Sequence, residues 1–447
     1  MKKNLNAIII FGLFTFYYLV MELFINDYAA FIFDAKQVTT LYGISYLMVG
    51  IGFPLYYLIN RPIKNSNIKL LLLGCIACVS FISAIIVSFT NNPQLLATCA
   101  LLAHLTAGYF GGAIYGGVAM ALKDSGRVGL TIAIGYAGAN IIQIIGIAVL
   151  ANFSVEVSDW VERSSLLVAM LIVLMLIPNS KVEPATNRAR RMPEKSFKKL
   201  IWVALIAMAL MALMHGLTDG IITVLHASEG EFIAYGYPRI FVIPGLIFAG
   251  LVADIKNKSV FSFGVVAAML ITLGAILLFY TPDTSNIATC FVYFFGSFMS
   301  VYSVAVFVEL APLSSRPDLV ASAGRGVRYF FAGLAIIITS QFYETVPLTV
   351  LVIAYIVLEI LLFAVFFFMG QLQVSKAQMP EAKLADYAQY NLTERETEVL
   401  TMLVQGKSTS DIATELYVSE HTVRTHISNL LAKTNTKNRV ELIRNFM

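Results

Sequence analysis

A chain of 447 residues that is 58% hydrophobic and only 13% charged, with a mean hydropathy of +0.78, is not a soluble globular protein, which carries about 25% charged residues. The four cysteines lie in apolar runs and give no support to an oxidised framework. Cys75 and Cys78 form a C-x-x-C inside LLLGCIACVSFISAII, where small helix-face residues are the simpler reading beside a redox or metal site. The formal net charge of +4 carries information only once it is located along the chain.

The first residues, MKKNLNAIIIFGLF, start with two lysines and an apolar run that continues to Ile25 without a small-residue cleavage site, so they read as a retained first transmembrane helix. Apolar segments of about 20 residues, enough to cross a bilayer, recur twelve times. They fall near 5–25, 38–59, 68–89, 95–122, 128–151, 163–178, 200–225, 232–253, 260–280, 287–310, 320–341 and 347–370, the sixth having the shortest apolar run. One set of connections is basic (Lys2 and Lys3, Arg61 and Lys64, Lys123 and Arg127, Lys256 and Lys258, Arg316 and Arg325). The alternate set is neutral or acidic (Asp27 and Asp34, NNPQ, Glu156 and Asp159, Glu229 and Glu231, Asp283, Glu344). Basic loops stay in the cytoplasm, which predicts both termini cytoplasmic in a multi-pass protein of the inner membrane. A polar, basic loop at 181–198 divides the body into halves of about 1–180 and 199–370. Its simplest role is to set topology beside a lipid surface, with contact to anionic head groups or DNA as the alternative.

The halves carry short internal matches, GYFGGAIYGGVAMAL against YFFGSFMSVYSVAVFVEL and GRVG against GRGV. Gly250-Leu251-Val252-Ala253-Asp254-Ile255-Lys256-Asn257-Lys258 lies between the eighth and ninth segments. On that loop and the six-plus-six division the body resembles the major facilitator superfamily, which implies a transporter-like bundle. The family's loop arginine and inner glycine are absent here, and the first-half loop LINRPIKN has no acid; this erosion counts against active transport.

Ionisable groups in hydrocarbon are costly and therefore functional candidates. Those within the segments are Glu22, His104, His215, Asp219, Arg239, Glu309 and Glu359, with the amides Asn140 and Gln143. Pro238 and Pro244 are expected to break the eighth helix beside Arg239, as happens where a helix lines a cavity. One reading is a ligand pocket in which Arg239 takes an anionic group, with Glu22, His215 and Asp219 nearby. The other is an internal ion pair such as Arg239–Asp219. Glu309 is expected to pair with Arg325 or Arg328, and His104 and Glu359 to be buried hydrogen-bonders or interfacial groups. The glycines 108, 111, 112, 116 and 117 of the fourth segment are spaced for close helix packing.

A linker at 371–390, containing Pro380, leads to residues 391–447, which have dense soluble helical patterning. Thr393 and Glu396 form a capping box, and Leu400, Leu403 and Val404 an apolar face that Gly406 ends. Thr409-Ser410 opens a short second helix. After a turn at Tyr417-Val418, Ser419 caps a third helix with Val423, Ile427, Leu430 and Leu431 inward; a fourth runs from about Arg439 to Phe446. Two helices joined by a tight turn form a helix-turn-helix. Its charge is polarised: Arg395 and Lys407 face six acids in 391–420, whereas Arg424, Lys433, Lys437, Arg439 and Arg444 face Glu441 in 421–447. A basic third and fourth helix suits phosphate attraction.

The residues Leu392-Thr393-x-Arg395-Glu396-x-Glu398-Val399-Leu400, Gly406-x-Ser408, Ile412-Ala413, Leu416 and Val418-Ser419-x-x-Thr422-Val423-Arg424-x-His426, followed by Asn429, Lys433 and Arg439, closely resemble the LuxR-type (NarL/FixJ) DNA-binding domain over its full length. The resemblance implies that Arg424, Thr425 and Ser428 face base edges and that Thr409, Ser410, Asn429 and Lys433 lie at or near phosphates. It also implies a homodimer through 438–446. The family's lysine in the second helix is Ser410 here, and its Leu-Gly-Val after the third helix is Thr434-Asn435-Thr436, where Asn tolerates the left-handed turn.

The expected protein is thus all-α: a transporter-like 6+6 transmembrane bundle (1–370), a linker and a four-helix DNA-binding head. The leading function is a membrane-embedded one-component regulator that binds double-stranded promoter DNA and answers a small molecule; the rival is a working secondary transporter with a regulatory head. No cofactor, metal site or catalytic set is expected.

Overall fold

Backbone groups in hydrocarbon must be satisfied within their own segment, so a chain this apolar is driven to helix. Every element among the described residues is helical. The computed structural model describes residues 2–446 except 64, 151, 154, 177–193, 230–236, 256–257, 280–284, 343–344, 378–389, 391, 405–406 and 417. Two compact units form, Met1–Gly370 and Gln371–Met447.

The body consists of α1 (Lys2–Ala30), α2 (Ala35–Asn60), α3 (Ser66–Val87), α4 (Pro93–Leu122), α5 (Val128–Leu150), α6 (Val155–Leu176), α7 (Glu194–Glu229), α8 (Val242–Ala253), α9 (Lys258–Phe279), α10 (Ser285–Leu310), α11 (Pro317–Phe342) and α12 (Leu348–Ala377). Among the described residues ten helices are long and apolar enough to cross a membrane, and two apolar stretches, Arg163–Ile172 and Tyr237–Ala253, are shorter. These two are the sixth and eighth of the twelve segments read from the sequence. In the eighth, Pro238 lies in a 3₁₀ turn, Tyr237–Phe241, and α8 begins at Val242, whereas Pro244, expected to break the helix too, sits within the first turn of α8; residues 230–236 of that segment lie outside the described residues. Two boundaries differ from the sequence reading. Helix α7 starts at Glu194, inside the expected loop 181–198, and α12 runs on to Ala377, past the expected start of the linker. The rest of both connections, 181–193 and 378–389, lies outside the described residues, as do the expected helix stop at Gly406 and Tyr417 of the turn.

Within the first half α2 packs on α4 and α1 on α5; within the second, α7 packs on α11 and α10 on α8 and α9. The halves meet where α2 lies along α11 and α5 along α8. Small residues let backbones touch at these seams. A Cβ on Gly108 would sit 2.2 Å from the Val49 carbonyl oxygen, and one on Gly52 2.2 Å from that of Leu105. The loop acid Asp254 crosses between halves: its carboxylate accepts from the Gly129 and Leu130 amides at 2.7 and 2.9 Å, capping the start of α5.

The head has α13 (Glu394–Val404), α14 (Thr409–Leu416), α15 (Glu420–Thr434) and α16 (Arg439–Phe446). Val399, Leu400, Leu403, Ile412, Val423, Leu430 and Leu442 are fully buried together and form its core. Tyr390 stacks edge-on against Phe446 with ring centroids 5.4 Å apart, so it belongs to the head rather than to the linker. Asn435 turns the chain out of α15 at φ 52, ψ 42, the left-handed conformation expected of it.

Candidate functional site

Two sites emerge, one in each unit. In the body, α1, α2, α4, α5, α7, α8, α10 and α11 surround a cavity of about 220 Å³. All four residues singled out from the sequence, Glu22, His215, Asp219 and Arg239, line it, whereas His104 and Glu359 do not. The 3₁₀ turn at the head of α8 is what carries Arg239, buried, to its wall.

The pairing inside differs from the expected Arg239–Asp219 ion pair. Arg239 Nη2 donates to Gln143 Oε1 at 2.7 Å, and Gln143 Nε2 in turn donates to the Leu19 carbonyl at 3.1 Å. Asp219 Oδ2 lies 3.7 Å from His215 Nε2, one helical turn away, and 3.5 Å from the Tyr42 hydroxyl. That hydroxyl also bonds Tyr46 at 2.7 Å. His104 is a buried hydrogen-bonder, its Nδ1 2.7 Å from the Ala100 carbonyl.

The structure adds two arginines that sequence reasoning had assigned elsewhere. Arg325 was counted with the basic connections, and Arg325 or Arg328 was expected to latch Glu309; instead Glu309 accepts from Lys258 Nζ at 2.8 Å. Arg325 and Arg328 both line the cavity. Arg325 Nη2 donates to the Tyr329 hydroxyl at 2.9 Å, and its guanidinium lies over the rings of Tyr329 and Tyr136, 4.8 and 5.3 Å from their centroids. Arg328 Nη1 donates to Ser300 Oγ at 3.1 Å. A signal for both was present: they stand inside the eleventh apolar segment, three residues apart on one helix.

In the head, each helix entry is fixed by a side chain. The Thr393 amide donates to Glu396 Oε2 at 2.8 Å while the Glu396 amide donates to Thr393 Oγ1 at 3.3 Å, closing the expected capping box. A second reciprocal cap opens α14. The Ser408 amide donates to Asp411 Oδ2 and the Asp411 amide to Ser408 Oγ, both at 3.1 Å; the Ser408 hydroxyl also donates to Asp411 Oδ2 at 2.6 Å, and this bond with that of the Ser408 amide holds the Asp411 carboxyl below its ordinary range. Ser419 Oγ accepts from the Thr422 amide at 3.1 Å and starts α15.

With Val423 and Leu430 buried, α15 turns Arg424, Thr425, Ser428 and Asn429 to the exterior on one face. The Arg424 side chain is 71% exposed and, among the described residues, is held by Glu420 alone, at 3.3 Å. Ser410 is exposed on α14. The two remaining predicted contacts are engaged inside the head. Thr409 Oγ1 accepts from Arg439 Nη1 at 3.1 Å, and Arg439 Nη2 donates to the Lys407 carbonyl at 2.6 Å. Lys433 Nζ sits 2.7 Å from Glu396 Oε2. Two of the five cations counted toward a basic face thus act as struts between helices.

This head is a helix-turn-helix domain of a DNA-binding transcription regulator, set on a multi-pass membrane body. The family described as bacterial regulatory proteins, luxR family, matches residues 390–446. Spore germination protein GerE of Bacillus subtilis is 54% identical over 57 residues, which are 12% of this chain and 77% of that protein. The uncharacterized transcriptional regulatory protein YhcZ of Bacillus subtilis is 52% identical over 52 residues, and the nitrate/nitrite response regulator protein NarP of Escherichia coli 55% over 49. Only 24% and 23% of those two proteins are spanned, against 12% and 11% of this chain. The chain belongs, through its head, to the luxR family of bacterial regulatory proteins. The body has the fold of a bacterial homologue of the iron transporter ferroportin in its outward-facing state, with a TM-score of 0.54, 15% identity, and 83% of this chain and 100% of that one covered.

Proposed function

We propose that the protein is a one-component transcription regulator of the inner membrane, whose transporter-like body (1–370) senses a small molecule and whose cytoplasmic head (391–447) binds promoter DNA. The observation that carries this reading is the exposed face of α15, Arg424 with Thr425, Ser428 and Asn429, in a luxR-family head that shares its chain with a body enclosing a charged cavity. Arg424, Thr425 and Ser428 read base edges. Thr409, Ser410 and Asn429 lie at phosphates, and Lys433 serves that contact from its post on Glu396. Glu22, His215, Asp219 and Arg239 belong to the ligand site. The alternation of basic and acidic connections supports cytoplasmic termini. No catalytic role is proposed.

An arginine bonded to guanine O6 and N7 discriminates by about 1–3 kcal/mol, so Arg424→Ala is expected to lower operator affinity roughly 5- to 150-fold while leaving the body intact. Transcript profiling of a strain carrying Arg424→Ala beside a deletion strain tests it: the two profiles are expected to agree, and a strain pair with no altered transcript sinks the regulator reading.

Val440 on α16 is 76% exposed, an apolar side chain left outside the core of the head. It supports pairing through 438–446 on a two-fold operator. Val440→Asp is expected to turn cooperative occupancy of two half-sites into weaker, independent binding in a titration against paired and single half-site DNA; an unchanged cooperativity removes α16 from the dimer.

A cavity with buried charges between two halves also suits transport. Uptake into proteoliposomes that depends on Arg239 would favour that second reading.

A further inference from the structure

We infer that Arg325 is the counter-ion of the ligand taken by the body, and that this ligand is a small organic monoanion with a planar apolar body, an aromatic carboxylate being the simplest case. The inference rests on the reading of the cavity as a ligand site and names the ligand's class.

The charge balance comes first. Arg239, Arg325 and Arg328 line the cavity against the carboxylates of Glu22 and Asp219. A guanidinium does not deprotonate in proteins, so even with both carboxylates ionised one positive charge is left over. An uncompensated charge in such surroundings is costly until an anion meets it.

Arg325 is the most deeply buried of the three arginines, Arg239 and Arg328 each being 9% exposed. It is 5% exposed, its Nη2 reaches Tyr329, and its Nε and Nη1 have no hydrogen-bond partner. Among the described residues it forms no ion pair. Its neighbours are aromatic faces, which hold a cation in place without neutralising it. Two unpartnered nitrogens of a buried guanidinium on a cavity wall are what an incoming carboxylate would satisfy.

Size and walls give the rest of the ligand. An apolar cavity of about 150 Å³ takes benzene; one of about 220 Å³ holds a ring with a carboxylate attached. Phe14, Phe53, Tyr115, Tyr136 and Tyr329 all contribute to the lining, and they offer offset or edge contacts to a planar ring. A bare inorganic anion would leave most of that aromatic space unfilled.

The test uses the full-length chain in nanodiscs and equilibrium dialysis of labelled benzoate, with inorganic phosphate (charge without a ring) and benzyl alcohol (a ring without charge) as competitors. Benzoate is expected to bind, Arg325→Gln to weaken it at least tenfold, and Arg325→Lys, which keeps the charge, to recover part of the loss. Arg239→Gln is expected to weaken it less, because Arg239 is engaged by Gln143. Each competitor is expected to displace benzoate at least tenfold less effectively than unlabelled benzoate does. Unchanged binding in Arg325→Gln, no recovery in a folded Arg325→Lys, competition by phosphate or benzyl alcohol equal to that of benzoate, or no benzoate binding at all overturns the inference. The regulator reading is judged separately by the Arg424→Ala transcripts, so a failed dialysis beside an altered profile removes only the ligand class.

Discussion

Glu396→Ala is expected to destabilise the head by about 2–4 kcal/mol. The side chain is buried, closes the capping box of α13 and takes the ammonium of Lys433 from α15. Losing the box costs about 1 kcal/mol, and losing a hydrogen bond to a charged group about 1.5–3 kcal/mol. A domain of this size has only about 3–5 kcal/mol from its core, so the substitution removes most of it. Hydrogen exchange of the α13 and α15 amides in the full-length protein should rise together, whereas Glu396→Gln, which keeps an acceptor for the Thr393 amide, should show a smaller rise. Protection that stays at the wild-type level would mean that α13 and α15 are held by apolar packing alone.

The same carboxylate makes the head acid-sensitive. Burial pushes its pKa up, but the Lys433 bond and the Thr393 contacts outweigh burial and bring it below the ordinary value of 4.5. Because the folded form binds its proton less readily than the unfolded form, the stabilisation is complete above 4.5 and is lost as pH falls through the lowered value. The head should therefore lose protection below that pH, and Lys433→Gln should flatten the dependence.

In the body the largest effect is expected from Gly108→Ala. The added methyl would stand 2.2 Å from the Val49 carbonyl oxygen and 3.0 Å from the Gly52 Cα, both backbone atoms that no rotamer change can move. Forcing α2 and α4 apart costs about 1–3 kcal/mol or more and should lower the thermal midpoint in detergent. Gly52→Ala should do the same, and the double variant should lose less than the two single losses combined, since one separation relieves both clashes. Gly138→Ala, where a Cβ meets nothing within 4 Å, is the control and should be neutral or slightly stabilising. A midpoint for Gly108→Ala equal to that control would show that the α2–α4 seam yields freely.

Much of this was open to reading along the chain because it depends on local rules. The 3₁₀ turn at Pro238, the capping box at Thr393 and Glu396, the cap at Ser419 and the left-handed turn at Asn435 each follow from a few adjacent residues. The head was legible down to the exposed face of α15, since a helix with Val423 and Leu430 inward has to turn Arg424 and Ser428 outward.

Partner choice among buried charges was not legible in the same way. Arg325 and Glu309 stand 16 positions apart on adjoining helices and read as a pair, yet Lys258 takes Glu309 and Arg325 turns into the cavity. Asp254 gave its place in a loop motif but not its use, which is to cap α5 of the other half. The sequence by itself determined the helical class, the approximate place of the apolar segments and the family of the head. Only the tertiary structure decided that Glu22, His215, Asp219 and Arg239 share one cavity with Arg325 and Arg328. Helix periodicity says which side of a helix is polar, whereas the neighbour that meets that side is set by helix rotation and by seams such as Gly52–Gly108, which sequence spacing alone does not specify.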